Sequence, residues 1–284
     1  MKKNLIISNL FNNLKLPKEI INPWELQYKN LAEKCSADFE NFEIKNYNNV
    51  SKHYIHIIKK FWPVKQNEKK LNQISLLDKL DDSFEKGYEW VFAMDADIVI
   101  NPNADFDLAR CDKSTVYFAS VSKKLSGKVK FCSKLKNSFL KKHLLKYGNQ
   151  GVLLISNIVW NSIKDVLVDF EKITKCSKSN SIEGFFSHID QNILSIALTL
   201  KNIEIEKIPN KDNSILHFVG LNTQRYKDAY NINNSDFNCL REKFVNSIDT
   251  EISNRNLKWF PLLFHYLNLT TNEKQKLFER RNEK

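Results

Sequence analysis

The chain has 284 residues, a formal net charge of +11, and only six glycines and six prolines. That length suits one large α/β domain with a tail, or two small domains. A composition 42% hydrophobic and 12% aromatic excludes fibrous and linker-dominated classes and calls for a packed core.

No run reaches the roughly 18 to 20 apolar residues that span a bilayer. The lysines of Met1-Lys2-Lys3 are not followed by a signal-peptide core, because Asn9 and Asn12-Asn13 break the apolar run. A cytoplasmic location is expected. Cys35, Cys111, Cys132, Cys176 and Cys239 form an odd set without a C-x-x-C pair, so reduced thiols are expected rather than a disulfide framework or a zinc knuckle. The charge is local. From Lys113 through Lys164 there is no acidic residue and there are eleven lysines, which equals the whole excess. Lysine alone, without arginines on a reading element, disfavours nucleic acid. It favours an anionic acceptor or peripheral contact with anionic lipid at the inner face of a membrane.

In chain order, Asn4 to Leu10 reads as a first buried strand. Asn22-Pro23-Trp24 offers an N-cap followed by proline at the first helical position, and Trp24, Tyr28, Leu31 and Cys35 recur at helical spacing behind it. Phe39 to Ile44 reads as a second strand. A second amphipathic helix carries Leu71, Ile74, Leu77, Leu80 and Phe84 on one face, with Gly87 placed to stop it. Glu89 to Met94 is an apolar run too short for a helix. It ends in Asp95-Ala96-Asp97 and resumes as Ile98-Val99-Ile100, the pattern of a central strand. Further strands are expected at Thr115 to Val121, Gly151 to Ser156, Ile203 to Ile208 and Ile215 to Val219, with helices at Val159 to Thr174 and His188 to Leu200. This alternation predicts an α/β fold with a mixed, mostly parallel sheet covered by helices. From about Ser235 the sequence turns charged and helical, and Leu257 to Leu267 is densely aromatic. That tail reads either as a helix docked on the domain or as an interfacial anchor.

The acidic triplet carries the chemistry. Two carboxylates one residue apart at the end of a buried strand are costly without a counter-charge. At the carboxyl edge of an open α/β sheet, where ligands bind, they can hold Mg²⁺ or Mn²⁺ while the ion grips a diphosphate. A strand-end turn, where Asp is common, is the plainer alternative.

With the triplet stand three more segments in order: Asn149-Gln150-Gly151 opening an apolar strand, Asp190-Gln191 opening a helix, and His217-Phe218-Val219-Gly220. Together they resemble the GT-A class of glycosyltransferases, in particular the family 8 type, which retains anomeric configuration and uses UDP-sugars. The resemblance covers roughly Asn4 to Tyr226. It implies a Rossmann-like GT-A domain over residues 1–230, which binds the nucleotide-sugar and catalyses transfer; outside it lies the C-terminal helical region, 231–284, which the sequence pattern suggests for membrane or acceptor association. It further implies that Asp95, Asp97 and His217 ligate the metal. Two carboxylates with a neutral imidazole suit Mn²⁺ better than Mg²⁺. Asp95, Asn149, Gly151, Gly220 and Arg225 would bind the donor, and Asp190 and Gln191 would act on the sugar. Asp190 has a second reading, since Ser187-His188-Ile189-Asp190 fits a capping-box-like helix start worth about 1 kcal/mol. Family members commonly follow His-x-x-Gly with Lys-Pro-Trp. This chain has Leu221-Asn222-Thr223-Gln224-Arg225-Tyr226-Lys227 instead, so Arg225 or Lys227 would supply the phosphate cation from another position. Lys69, Lys70 or Asn72 would stand in for an arginine usual before the triplet.

The implied reaction is retaining transfer of a hexose from a UDP-sugar to a saccharide or glycolipid. Three alternatives stay open. One is an inverting enzyme with Asp190 as base. Another is a non-catalytic basic protein on membrane or nucleic acid. The third is a nucleotidyltransferase, for which Ser8 to Asn13 lacks the glycine-rich loop.

Overall fold

The computed structural model describes residues 3–8, 18–42, 64–95, 98–104, 106–119, 121, 148, 151–169, 189–209, 214–217, 270–272 and 275. In chain order the elements are β1 (Asn4–Ser8), α1 (Lys18–Lys34), β2 (Ala37–Asn41), α2 (Val64–Glu85), β3 (Trp90–Met94), β4 (Ile98–Ile100), a 3₁₀ turn (Leu108–Arg110), β5 (Thr115–Phe118), β6 (Val152–Ser156), α3 (Asn157–Val168), α4 (Ile189–Leu200), β7 (Glu204–Lys207) and β8 (Ile215–His217). Six strands form one sheet in the order β2-β1-β3-β6-β5-β7, and β4 and β8 form a second, two-stranded sheet.

Within the large sheet β1 is parallel to β2 and β3, and β5 is parallel to β7, while β6 runs antiparallel to both β3 and β5. Five strands therefore share one direction and β6 alone opposes them. This is the expected mixed, mostly parallel Rossmann-like sheet, consistent with a GT-A fold.

Both faces are covered. Alternate side chains Leu5, Ile7, Val91, Ala93, Val116, Phe118, Leu153 and Ile155 join one buried cluster with Leu77 and Leu80 of α2, Trp160 and Ile163 of α3, and Ile193 to Leu198 of α4. The period of two along each strand delivers one face of the sheet to these helices. Trp160 also donates its indole N–H to Asp81 Oδ1 at 2.9 Å, which satisfies the one polar group it buries. On the opposite face Phe92 meets Phe106 edge-on at 5.3 Å, and Trp24, Tyr28 and Leu31 of α1 are buried.

The helix stop at Gly87 forms as expected. Gly87 takes φ 90°, and Tyr88 N–H to Ser83 O with Gly87 N–H to Phe84 O closes a Schellman motif. Ser156 Oγ accepts Val159 N–H and caps α3.

Several boundaries differ from the sequence reading, among them the following. Helix α1 begins at Lys18, not at Asn22-Pro23. Ile20 and Ile21 continue the spacing of Trp24 and Tyr28, and the helix bears both the bond that Pro23 forfeits to the carbonyl four residues before it and the crowding of its ring there. Strand β2 begins at Ala37 rather than Phe39, because Ser36 turns the chain at φ 48° and the parallel register sets Ala37 beside Asn4. Ile98–Ile100 does not continue β3 but leaves the large sheet to pair with β8. Helix α3 closes at Val168, with Asp169 as its C-cap, short of Thr174.

No helix among the described residues is long and apolar enough to cross a membrane. Of the cysteines, Cys35 is buried with its Sγ directed at Phe106 O at 3.9 Å, and Cys111 is a free thiol. Burial pushes the Cys111 thiol up to about 11, with the Asp107 and Glu206 carboxylates adding to the effect, so it stays protonated at neutral pH. Of the C-terminal region, 270–272 and 275 are described. Thr271 lines a hollow of about 200 Å³ with Leu26, Asn30 and Asn101.

Leu153 is fully buried in β6, opposite Ala93 and Phe118. Leu153→Ala is expected to cost about 2–5 kcal/mol, whereas Ile158→Ala, at a side chain 54% exposed, should stay within about 0.5 kcal/mol. Urea unfolding of both variants measures the difference.

Candidate active site

Strands β1 and β3 end side by side, Ser8 beside Met94, and β6 begins next to them with Val152 opposite Met94. Strand β5 ends at the same edge, Phe118 being paired with Leu153. This is the carboxyl edge of the sheet, where open α/β folds bind ligands.

The chain leaving β3 is held by main-chain bonds on each side. Ser8, fully buried, donates its hydroxyl to Met94 O at 2.8 Å. Asp95 N–H donates to Gly151 O at 2.7 Å. The Tyr28 hydroxyl donates to Asp95 O at 2.8 Å. The Asp95 carboxylate itself is exposed, directly after five buried strand residues. A rigid backbone with an exposed carboxylate presents its oxygens to whatever occupies the edge.

Beyond the triplet, β4 pairs antiparallel with β8, Ile98 opposite His217 and Ile100 opposite Ile215. Asn101 N–H to Ser214 O at 2.9 Å extends the ladder. The residue opposite His217 is thus the immediate successor of Asp97. On its other side β4 is met by the Gln27 side chain, whose Nε2 donates to Ile98 O at 3.1 Å and whose Oε1 accepts Ile100 N–H at 3.0 Å.

Helix α4 precedes β7, which runs in the direction of β3 through β5 and β6. Helix α4, twelve residues long, packs against α2 and α3. Asp190 and Gln191 stand in its first turn. Gln191 is half-buried, and its carbonyl accepts the Ser195 hydroxyl at 2.7 Å.

Of the expected site residues, the structure joins Asp95 to Gly151 by a hydrogen bond and sets His217 in register with the segment after the triplet, while Asp190 and Gln191 open α4. Asp97, Asn149, Gly220 and Arg225 lie outside the described residues, as do Ser187 and the lysine-rich stretch Lys123 to Lys146. The side chains of Asp190 and His217 are likewise not among those described. Among the described residues no three His, Cys, Asp or Glu side chains converge.

Sequence reading missed Ser8, Gln27 and Tyr28, which hold backbone near the triplet, and Gly148. Gly148 bridges Val121, and a Cβ there would run into the Phe118 ring. Its only sequence signal is glycine three residues before Gly151, and the need for it depends on a distant phenylalanine.

No protein-family model matches the chain, and no curated protein matches it in sequence. Among solved structures it is similar to a glycosyltransferase involved in the glycosylation of the major capsid of PBCV-1. That match covers 77% of this chain and 94% of the other, at 14% sequence identity and a TM-score of 0.39.

Gly148→Ala is expected to cost about 1–3 kcal/mol through overpacking, roughly 2–10 °C in melting temperature for a chain of this size. Combining it with Phe118→Ala should destabilise less than the sum of the single changes, a coupling that thermal melts of the three variants measure.

Proposed function

We propose that this chain is a metal-dependent glycosyltransferase of the GT-A kind, moving a hexose from a UDP-sugar to a hydroxyl of a saccharide or glycolipid with retention. The observation that carries the reading is the register of β4 with β8. It brings the His-x-x-Gly segment against the residue that follows Asp97, while Asp95 bonds Gly151 of the Asn-x-Gly segment. Segments far apart in sequence, each carrying a residue type suited to the same reaction, are thereby joined to the two sides of the triplet.

Asp95 and Asp97, with His217, would hold a divalent cation. Two carboxylates and an imidazole form a mixed oxygen and nitrogen donor set that fits Mn²⁺, and an exposed Asp95 on a tethered backbone supports that fit. When bound, the ion supplies Lewis-acid neutralisation of the charge on a departing diphosphate. The rest falls to the chain's own groups. Backbone at Gly151 and Gly220 would let a phosphate or sugar approach closely. Arg225 would place a cation on the diphosphate. Asn149, Asp190 and Gln191 would read sugar hydroxyls by hydrogen bonding. In the retaining reaction the leaving phosphate takes the acceptor proton, so no side-chain base is required. An inverting reaction would need one, and Asp190, at the start of α4, would be the candidate.

The lysines from Lys123 to Lys146 would suit an anionic acceptor or an anionic membrane surface.

A panel of UDP-sugars incubated with the full chain and Mn²⁺ should reveal one donor whose hydrolysis stops when the metal is chelated. Asp95→Asn and Asp97→Asn should each lower that rate by ~100-fold or more. Rates that ignore both substitutions and chelation would end the enzymatic reading. The anomer of the product, read by NMR, separates retention from inversion.

A further inference from the structure

We propose that Gln27 and Tyr28, neighbours on α1, are positioning residues that grip the acidic triplet from both flanks and so set the metal-binding geometry. The proposal rests on the metal reading above and assigns residues to it that lie in none of the motif segments.

Tyr28 binds the near flank, its hydroxyl donating to Asp95 O at 2.8 Å. Gln27 binds the far flank at two points, Ile98 O and Ile100 N–H, at 3.1 and 3.0 Å. Carbonyl i and amide i+2 on one side of a strand are the groups that a neighbouring strand would bond. One carboxamide, with a donor and an acceptor on the same carbon, replaces that strand. Strand β4 is thus paired on one side by β8 and on the other by a side chain of α1. Between the two anchored flanks lie only Ala96 and Asp97.

The anchors themselves are well fixed. Tyr28 is fully buried, and its ring stacks on Phe39 of β2 at 5.8 Å between centroids, 12° from parallel. Gln27 is half-buried on the same helical turn. Because both residues belong to one helix, a shift of α1 moves the two flanks together and preserves the spacing between Asp95 and the segment facing His217. Neither residue need touch the ion. They fix the main chain that carries its ligands, and supporting groups of this kind typically change metal affinity 10- to 100-fold.

The two groups can be removed without changing side-chain volume much. Tyr28→Phe deletes one hydroxyl, and Gln27→Met deletes the carboxamide at nearly constant length. The probe is Mn²⁺ alone, titrated into the full chain and followed by the paramagnetic resonance of the free ion, with hydrogen exchange of residues 98–101 as a second readout. Affinity is expected to fall about tenfold in each variant, and Gln27→Met should also speed exchange at Ile100 while the β3 amides keep their protection. Asp95→Asn serves as the reference for lost binding. If both variants bind Mn²⁺ as tightly as the unsubstituted chain while Asp95→Asn does not, the clamp is overturned and the metal site stands. If the unsubstituted chain binds no Mn²⁺, the metal reading falls and this role falls with it.

Discussion

Where β3 ends, its backbone runs from a fully buried strand straight into two carboxylates, and every polar group on that path needs a partner or water. The Asp95 amide finds the Gly151 carbonyl, the Met94 carbonyl finds the Ser8 hydroxyl, and the Asp95 carbonyl finds the Tyr28 hydroxyl. Each such bond contributes about 1 kcal/mol net, too little to hold a fold but enough to select one path for a short segment. With the main chain satisfied by the protein, the Asp95 carboxylate is left at the surface. An anionic group held at such an edge is inexpensive only where solvent or a cation can reach it. The geometry of the edge and its chemistry therefore share one cause.

That edge is rigid because the sheet behind it is packed on both faces. Leu5, Ile7, Val91 and Ala93 meet α2 and α4 through a continuous apolar cluster, while α1 covers the other side. Helix α1 then serves two ends at once. Its buried residues Trp24, Tyr28 and Leu31 hold it against the domain, and the polar atoms of Gln27 and Tyr28 reach past the strand ends to the backbone around the triplet. The antiparallel strand β6 is equally necessary. Entering from the carboxyl edge, it delivers Gly151 to Asp95 at its first turn, which a parallel strand starting at the opposite edge could not do.

Local features were legible in the sequence wherever one residue type suffices for one conformation. The 3- and 4-residue spacing of Leu77, Leu80 and Phe84 with Gly87 behind it marked α2 and its end, and the short apolar run Trp90 to Met94 marked a central strand. Features set by partners far along the chain were not. Asn22-Pro23 is a strong start signal, yet the apolar spacing from Ile20 carries α1 further back. Strand β2 begins where β1 supplies a register, and β4 departs from β3 because β8 offers a partner. At the site, Asp95 and Gly151 stand out in the sequence because a carboxylate and a glycine are residue types that the proposed reaction calls for. Gln27, Tyr28 and Ser8 act on carbonyls and amides, which every residue has, so nothing at the partner positions marks them in advance. Gly148 is of the same kind, its glycine required by the ring of Phe118.

The central claim is that one cation joins the triplet to a histidine brought alongside only by the pairing of β4 and β8. Pulsed paramagnetic resonance of Mn²⁺ bound to the full chain measures this directly, because a ligating imidazole couples its nitrogen to the metal electron spin. The coupling of a single imidazole is expected in the unsubstituted chain, and its loss in His217→Ala. Bound Mn²⁺ that shows no nitrogen coupling, or a coupling that survives His217→Ala, would contradict it.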